Sequence, residues 1–220
     1  MNYTELEQKI GKQTESDWHQ ASGGGWIYKD AKVQNEANIQ DNAIVMGDAQ
    51  VYGNAWVFGN AKVYGDAQVY GDALVYGDAK VYGNAWVYGD AKVSGNAEVF
   101  GNARVFGNAW VSGDALVYGN AKVSGNAWIY DDAKVSGNAE VFGNARVFGN
   151  AWEKSPLYLL DSRNHGATNC RHGWLKIGCE EHTFADWDKS FDQIAIKHKL
   201  TDAEKIEYRS IVDLFIKIGK

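Results

Sequence analysis

An Ile or Val stands at every sixth residue from Ile27 to Val147, and an Ala follows each of them four places on, from Ala31 to Ala151. The twenty-one units run to Trp152 without an insertion or deletion, and a representative one reads Val-Tyr-Gly-Asp-Ala-Lys at Val75–Lys80. Such strict periodicity predicts a solenoid, because a unit this short buries its apolar residue only by stacking on its neighbours. Ala-x-Val-Tyr alternates with a strand period, so Ala and Val point inward while the x residue and the aromatic point outward. The Gly-Asn and Gly-Asp pairs that follow are turn chemistry, since these residues tolerate positive φ. A short strand and a tight corner make one side of a prism. Three sides close an eighteen-residue coil, so the twenty-one units predict seven coils. At a strand spacing of about 4.8 Å the rod is about 34 Å long.

Three segments follow. Residues 1–25 form a leader that places Tyr3, Leu6 and Ile10 at helical spacing and ends in Ser22-Gly23-Gly24-Gly25, read as a flexible run. The need of a solenoid to cover its end strands makes this leader a cap. Residues 26–152 are the all-β solenoid, and residues 153–220 a small α+β domain. That domain opens on Ser155-Pro156 and the strand-like run Leu157–Leu160. It closes on two helices, one from Thr183 to about Lys197 with a Thr-x-x-Asp cap, the other from Thr201 to about Ile218 with a Thr201/Glu204 capping box.

The repeat Ile/Val-x-Gly-Asn/Asp-Ala-x resembles that of hexapeptide-repeat proteins, which fold as a left-handed parallel β-helix; the resemblance covers Ile27–Trp152 and supplies the handedness. An array such as Val51-Tyr-Gly-Asn-Ala-Trp-Val-Phe-Gly-Asn-Ala-Lys, ending in a domain with Ile177-Gly-Cys-Glu-Glu-His-Thr, is also similar to proteins encoded by phages and prophages. The resemblance implies a homotrimer, since left-handed β-helices commonly assemble as trimers, and a bacterial host cell as the setting.

Taking every eighteenth residue gives the outward columns. The first reads Asn38, Trp56, Leu74, Lys92, Trp110, Trp128, Arg146, and is the least polar. The second, Lys32, Gln50, Gln68, Trp86, Arg104, Lys122, Glu140, is mostly polar. The third reads Trp26, Ile44, Lys62, Lys80, Glu98, Leu116, Lys134, Trp152. Aromatic ladders run beside them, Tyr52, Tyr70, Tyr88 and Phe106 on the second face and Tyr64, Tyr82, Phe100 and Tyr118 on the third. Rungs in contact stabilise the stack, and the Trp56, Leu74, Trp110, Trp128 column is the candidate oligomer or partner face. Ala91–Trp110 recurs identically as Ala133–Trp152, forty-two residues on, which is two coils and one side. The copy therefore lands on a different face, as suits a spacer rather than a site built on one face.

Composition narrows the function. The net charge of −6 resides mostly in the repeats, because residues 153–220 carry eleven basic and eleven acidic side chains. No basic stripe marks a nucleic-acid binder, no apolar core of a signal peptide appears in Met1–Ser22, and no stretch is long enough for a membrane span. A cytoplasmic location is expected. Hexapeptide-repeat acyltransferases and carbonic anhydrases use His on the coil, but this chain has none between His19 and His165 and no inserted loop. Neither chemistry has a place on the rod, whatever the scaffold suggests.

The reactive residues gather in the C-terminal domain: His165, Cys170, His172, Cys179 and His182. His165, Cys170, Cys179 and His182 supply four ligands suited to structural zinc. The alternatives are a buried Cys179 beside a capping His182 and a Cys179–His182 nucleophile pair. The leading expectation is a non-catalytic homotrimeric scaffold that binds a host protein or a small signalling molecule, a defence-inhibiting role being implied only by the phage resemblance. An acyltransferase-like enzyme and a carbohydrate- or nucleotide-binding module using the aromatic faces stand as alternatives.

Overall fold

The computed structural model describes residues 1–148, 151–152, 158–160, 166–171 and 173–218. The repeats form a three-sided parallel β-solenoid of about seven turns, and its strands collect into three sheets of nine, seven and six strands. Between the first and last strands of the rod, successive coils pair in register eighteen residues apart, as Trp86 with Arg104 and Val87 with Val105. From Ile39 to Val147 every Ile, Val and Ala at the two inward places is no more than 2 % exposed, which makes the rod interior one continuous core. Among the described residues, no helix is long and apolar enough to cross a membrane.

The corners explain the glycine. Gly71 sits at φ 74°, and a Cβ there would lie 2.9 Å from the backbone nitrogen of Gly89 in the next coil. The site thus demands both a left-handed conformation and an empty side-chain position. The residue after each glycine builds the amide ladders, as in Asn84–Asn102–Asn120–Asn138, with links of 3.3, 3.1 and 3.2 Å. The aromatic ladders form as expected. Tyr52, Tyr70, Tyr88 and Phe106 stack at centroid spacings of 4.8–5.0 Å, and Tyr64, Tyr82, Phe100 and Tyr118 at 4.7–5.0 Å.

The leader caps the rod in two ways. Strand Trp18–Gln20 pairs antiparallel with Trp26–Tyr28 and covers the edge of the nine-stranded sheet. Helix α1 (Tyr3–Ile10), opened by an Asn2/Glu5 capping box, lies on the outside of that same sheet. Its Leu6 is fully buried against Trp18, Trp26 and Ile44. Trp26 and Ile44 therefore stand in the outward column as expected but are covered. The Gly23–Gly25 run is no flexible joint. Gly25 N–H donates to the Ile39 carbonyl at 3.0 Å, and a Cβ on Gly23 would meet that oxygen at 2.5 Å. Close backbone approach, not freedom, is what these glycines supply.

Two column assignments are corrected. Asn38 lies in a 3-10 turn, Glu36–Asn38, rather than on a strand; its side chain is buried and donates to the Ala55 carbonyl at 3.1 Å. The first coil lacks the corner glycine, and Asn35 instead accepts from the Ala37 N–H and starts the turn. At the other end Lys134 pairs with Ala151, not Trp152, so the last strand has slipped by one residue. Such a slip exchanges the two faces of a strand.

Contacts of the twenty-residue copied block recur with it, through partners that lie outside the block. Lys80–Glu98 and Lys122–Glu140 both pair at 2.8 Å, the first on the nine-stranded sheet and the second on the seven-stranded one. Arg104 lies over the Trp86 ring at 4.8 Å, and Arg146 over Trp128 at 4.9 Å, again on different faces. Burial raises the Tyr82 hydroxyl, which also donates to Glu98 at 2.8 Å. Burial likewise opposes the Glu98 charge, but the bonds from Lys80 and Tyr82 outweigh it and hold the carboxyl below its usual range. A depressed carboxyl gives stability above its unfolded pKa that is lost as pH falls through the folded one. Between pH 6 and 3 the rod should therefore lose about 1 kcal/mol or less through this group, and Glu98→Gln should remove that part of the slope in pH-dependent melts.

The C-terminal domain is a four-stranded antiparallel sheet, Tyr158–Leu160, Gly166–Arg171, Trp174–Ile177 and Glu180–Thr183, carrying helices α2 (Phe184–Lys197) and α3 (Asp202–Ile218). Both expected caps are present. Thr183 accepts from the Asp186 N–H at 3.0 Å, and Thr201 N–H donates to Glu204 at 2.7 Å. Buried Trp187, Phe191, Val212 and Phe215 lie between the helices and the sheet.

Candidate functional site

Two surfaces hold the residues singled out from sequence. On the rod, register places Trp56, Leu74, Lys92, Trp110, Trp128 and Arg146 in one outward line along the six-stranded sheet. Trp56 and Trp128 are 39 % and 40 % exposed, high values for tryptophan in a folded chain. Trp110 is held edge-on to Trp128 at 5.3 Å, and its Nε1 donates to Ser94 Oγ at 3.0 Å. A cavity of about 380 Å³ opens beside them, lined by Trp110, Ser112, Trp128, Tyr130, Asp131 and Arg146.

The second surface belongs to the C-terminal domain. Of the expected zinc set, His165 lies outside the described residues, and Cys170 falls in strand Gly166–Arg171, with its side chain outside the description. Cys179 is exposed rather than buried, which removes the reading of it as a core residue. His182 is not a cap, since Thr183 has that role; its ring stands edge-on to Trp187 at 5.3 Å.

What the fold assembles is a nest around Glu180, whose side chain is only 12 % exposed. Oε1 accepts from His198 Nε2 and from Lys197 Nζ, each at 2.6 Å, and Oε2 lies 2.9 Å from His182 Nε2. The His198, Lys197 and His182 hydrogen bonds, in that order, bring the Glu180 carboxyl down to about 2. Ligand atoms of Cys179, Glu180 and His198 lie within 4.8 Å of one another. The three stand at the mouth of a cavity of about 400 Å³ whose walls include Ile177, Trp187, Phe191, Leu200 and Tyr208.

Glu180, Lys197 and His198 were not singled out from the sequence. The signal lay in topology: a helix following strand Glu180–Thr183 packs back over the sheet, so its C-terminal end returns to where the strand began. His198 at the end of α2 thus reaches Glu180 across eighteen residues.

About seven stacked three-sided coils on a six-residue repeat make the chain a parallel β-solenoid repeat protein. Among protein families, the one described as YdcK Beta solenoid repeat matches residues 49–66, 67–83 and 97–113, all within the rod. No curated protein matches the chain.

Proposed function

We propose that this chain is a non-catalytic homotrimeric scaffold, in which the Trp56, Leu74, Trp110, Trp128 face of the rod forms the seam and the assembly presents the C-terminal domains to a binding partner. The observation that carries this reading is the contrast between the three faces. Helix α1 covers the first coils of the nine-stranded sheet. The outward line of the seven-stranded sheet, Lys32, Gln50, Gln68, Trp86, Arg104, Lys122 and Glu140, holds one tryptophan among polar and charged residues, with exposed Tyr52 and Phe142 beside it. Among the described residues, the tryptophans about two-fifths exposed, Trp56 and Trp128, both lie in the outward line of the six-stranded sheet. Exposed aromatic area in a row is the composition of an interface centre, and a rod with a common axis suits a threefold seam.

The partner is a host protein or a small signalling molecule, and the setting is the cytoplasm of a bacterium carrying a phage or prophage. The resemblance of the array and of Ile177–Thr183 to such proteins supports this part, including inhibition of a host defence factor. The absence of His between His19 and His165 supports the non-catalytic reading. Lysine at Trp56, Trp110 and Trp128 together is expected to convert trimer to monomer with the melting transition of the rod retained. An unchanged trimer would show that another face forms the seam.

A second reading rests on the cavity beside Trp128, where ring faces, Arg146 and Asp131 combine as in a groove for a sugar or nucleotide. The same surface cannot serve both uses. Calorimetry of the triple-lysine variant and of the unaltered chain with sugars and nucleotides separates them, because binding by the unaltered trimer would favour the groove.

A further inference from the structure

We propose that Cys179, Glu180 and His198 bind a zinc ion at the mouth of the C-terminal cavity, with His182 positioning the carboxylate. The three residues offer a thiolate sulfur, a carboxylate oxygen and an imidazole nitrogen, all within 4.8 Å of one another. A tetrahedral zinc site with bonds of about 2.0–2.3 Å spaces its ligand atoms roughly 3–4 Å apart. Glu180 Oε1 and His198 Nε2 already lie 2.6 Å apart, and Cys179 is exposed at the turn before strand Glu180–Thr183. Mixed soft and borderline donors of this kind select zinc over magnesium or calcium, which take oxygen.

The groups now around Glu180 are those a dication would replace. His198 Nε2 donates a proton to Oε1 at 2.6 Å, and the metal would take the place of that proton as the two atoms part to the roughly 3–4 Å of a tetrahedral site. Lys197 also donates to Oε1, but its side chain is 67 % exposed and free to swing into solvent. His182 holds the other oxygen, Oε2, at 2.9 Å, as an outer residue that orients a ligating carboxylate. Three protein ligands leave a fourth position open, and all three residues line the cavity that Trp187 and Phe191 help to wall. An apolar molecule with a donor atom at one end therefore fits the cavity. This set shares Cys179 with the four residues expected from sequence, puts Glu180 and His198 in place of His165 and Cys170, and moves His182 from ligand to outer partner.

Cobalt(II) titration of the full chain, followed by competition with zinc, tests the site without any activity assay. The expected result is one equivalent bound with a thiolate-to-cobalt charge-transfer band in the near ultraviolet, abolished by Cys179→Ser. Affinity should fall at least 100-fold in His198→Ala and about 10–100-fold in His182→Gln, and Lys197→Gln should bind as tightly or more so. Cys170→Ser should keep the band. No band in the folded wild-type chain, a band that survives Cys179→Ser, or its loss in Cys170→Ser would each overturn the proposal. Far-ultraviolet circular dichroism shows that each variant is folded.

Discussion

Alanine in place of Gly71 is expected to destabilise the rod by about 2–5 kcal/mol. Two costs combine. A residue with a Cβ loses about 1–2 kcal/mol in the left-handed region, and Gly71 sits there at φ 74°. The new methyl would also stand 2.9 Å from Gly89 N and 3.3 Å from Gly89 Cα. Both are backbone atoms that cannot turn aside, and forced overpacking of this sort costs about 1–3 kcal/mol. Because each coil touches only its neighbours, amide exchange should quicken first in the strands on either side, Gln50–Val51 and Trp86–Gly89. Asp131 gives the control. It holds a glycine place at φ 55°, so Asp131→Gly should leave stability unchanged or raise it by up to about 1 kcal/mol. Equal melts for Gly71→Ala and wild type would show that the corners are looser than the stacking requires.

Aspartate in place of Leu6 should release helix α1 from the rod. Leu6 is fully buried, as is Ile44 beneath it. Deleting a buried leucine costs about 2–5 kcal/mol, and a carboxylate at the same place cannot remain there unpaired. The expected outcome is a bipartite one. Tryptophan emission should shift as Trp18 and Trp26 meet water, and amide exchange should quicken from Met1 to Tyr28, while the main melting transition hardly moves. The reason is again the nearest-neighbour character of a solenoid. Collapse of the whole rod in Leu6→Asp would mean instead that the cap nucleates every coil behind it.

The rod was legible almost residue by residue, because a fixed period leaves no freedom of register: once Val87 faces inward, Trp86 must lie beside Gln68 and Arg104. Legibility failed where the period meets something aperiodic. Asn38 follows the repeat in sequence, yet the missing corner glycine lets Asn35 start a 3-10 turn that draws it inside. The Gly23–Gly25 run reads as flexible by composition, whereas its backbone is clamped against Ile39. In the C-terminal domain the helices were marked by their caps, local signals that sequence carries well. The Glu180 nest was not, because it joins residues of a strand and the far end of a helix, and no local pattern records that return. Cys179 and His182 were visible as chemistry, but their partner His198 became so only with the fold.

Duplication also bears on how the chain works. The Trp–Arg and Lys–Glu pairs recur forty-two residues apart on different faces, so these contacts serve the stack wherever they fall. They add little to recognition. A seam must instead rest on what is not shared between faces, and the exposed Trp56, which has no part in these recurring pairs, is the clearest such difference.

Light scattering coupled to size-exclusion chromatography decides whether the tryptophan face is a threefold seam. A scaffold closed around the tryptophan face predicts a mass about three times the 24.3 kDa of one chain, unchanged on dilution to micromolar concentration and falling to one chain in the triple-lysine variant. A mass of one chain for the unaltered protein across that range would contradict the account.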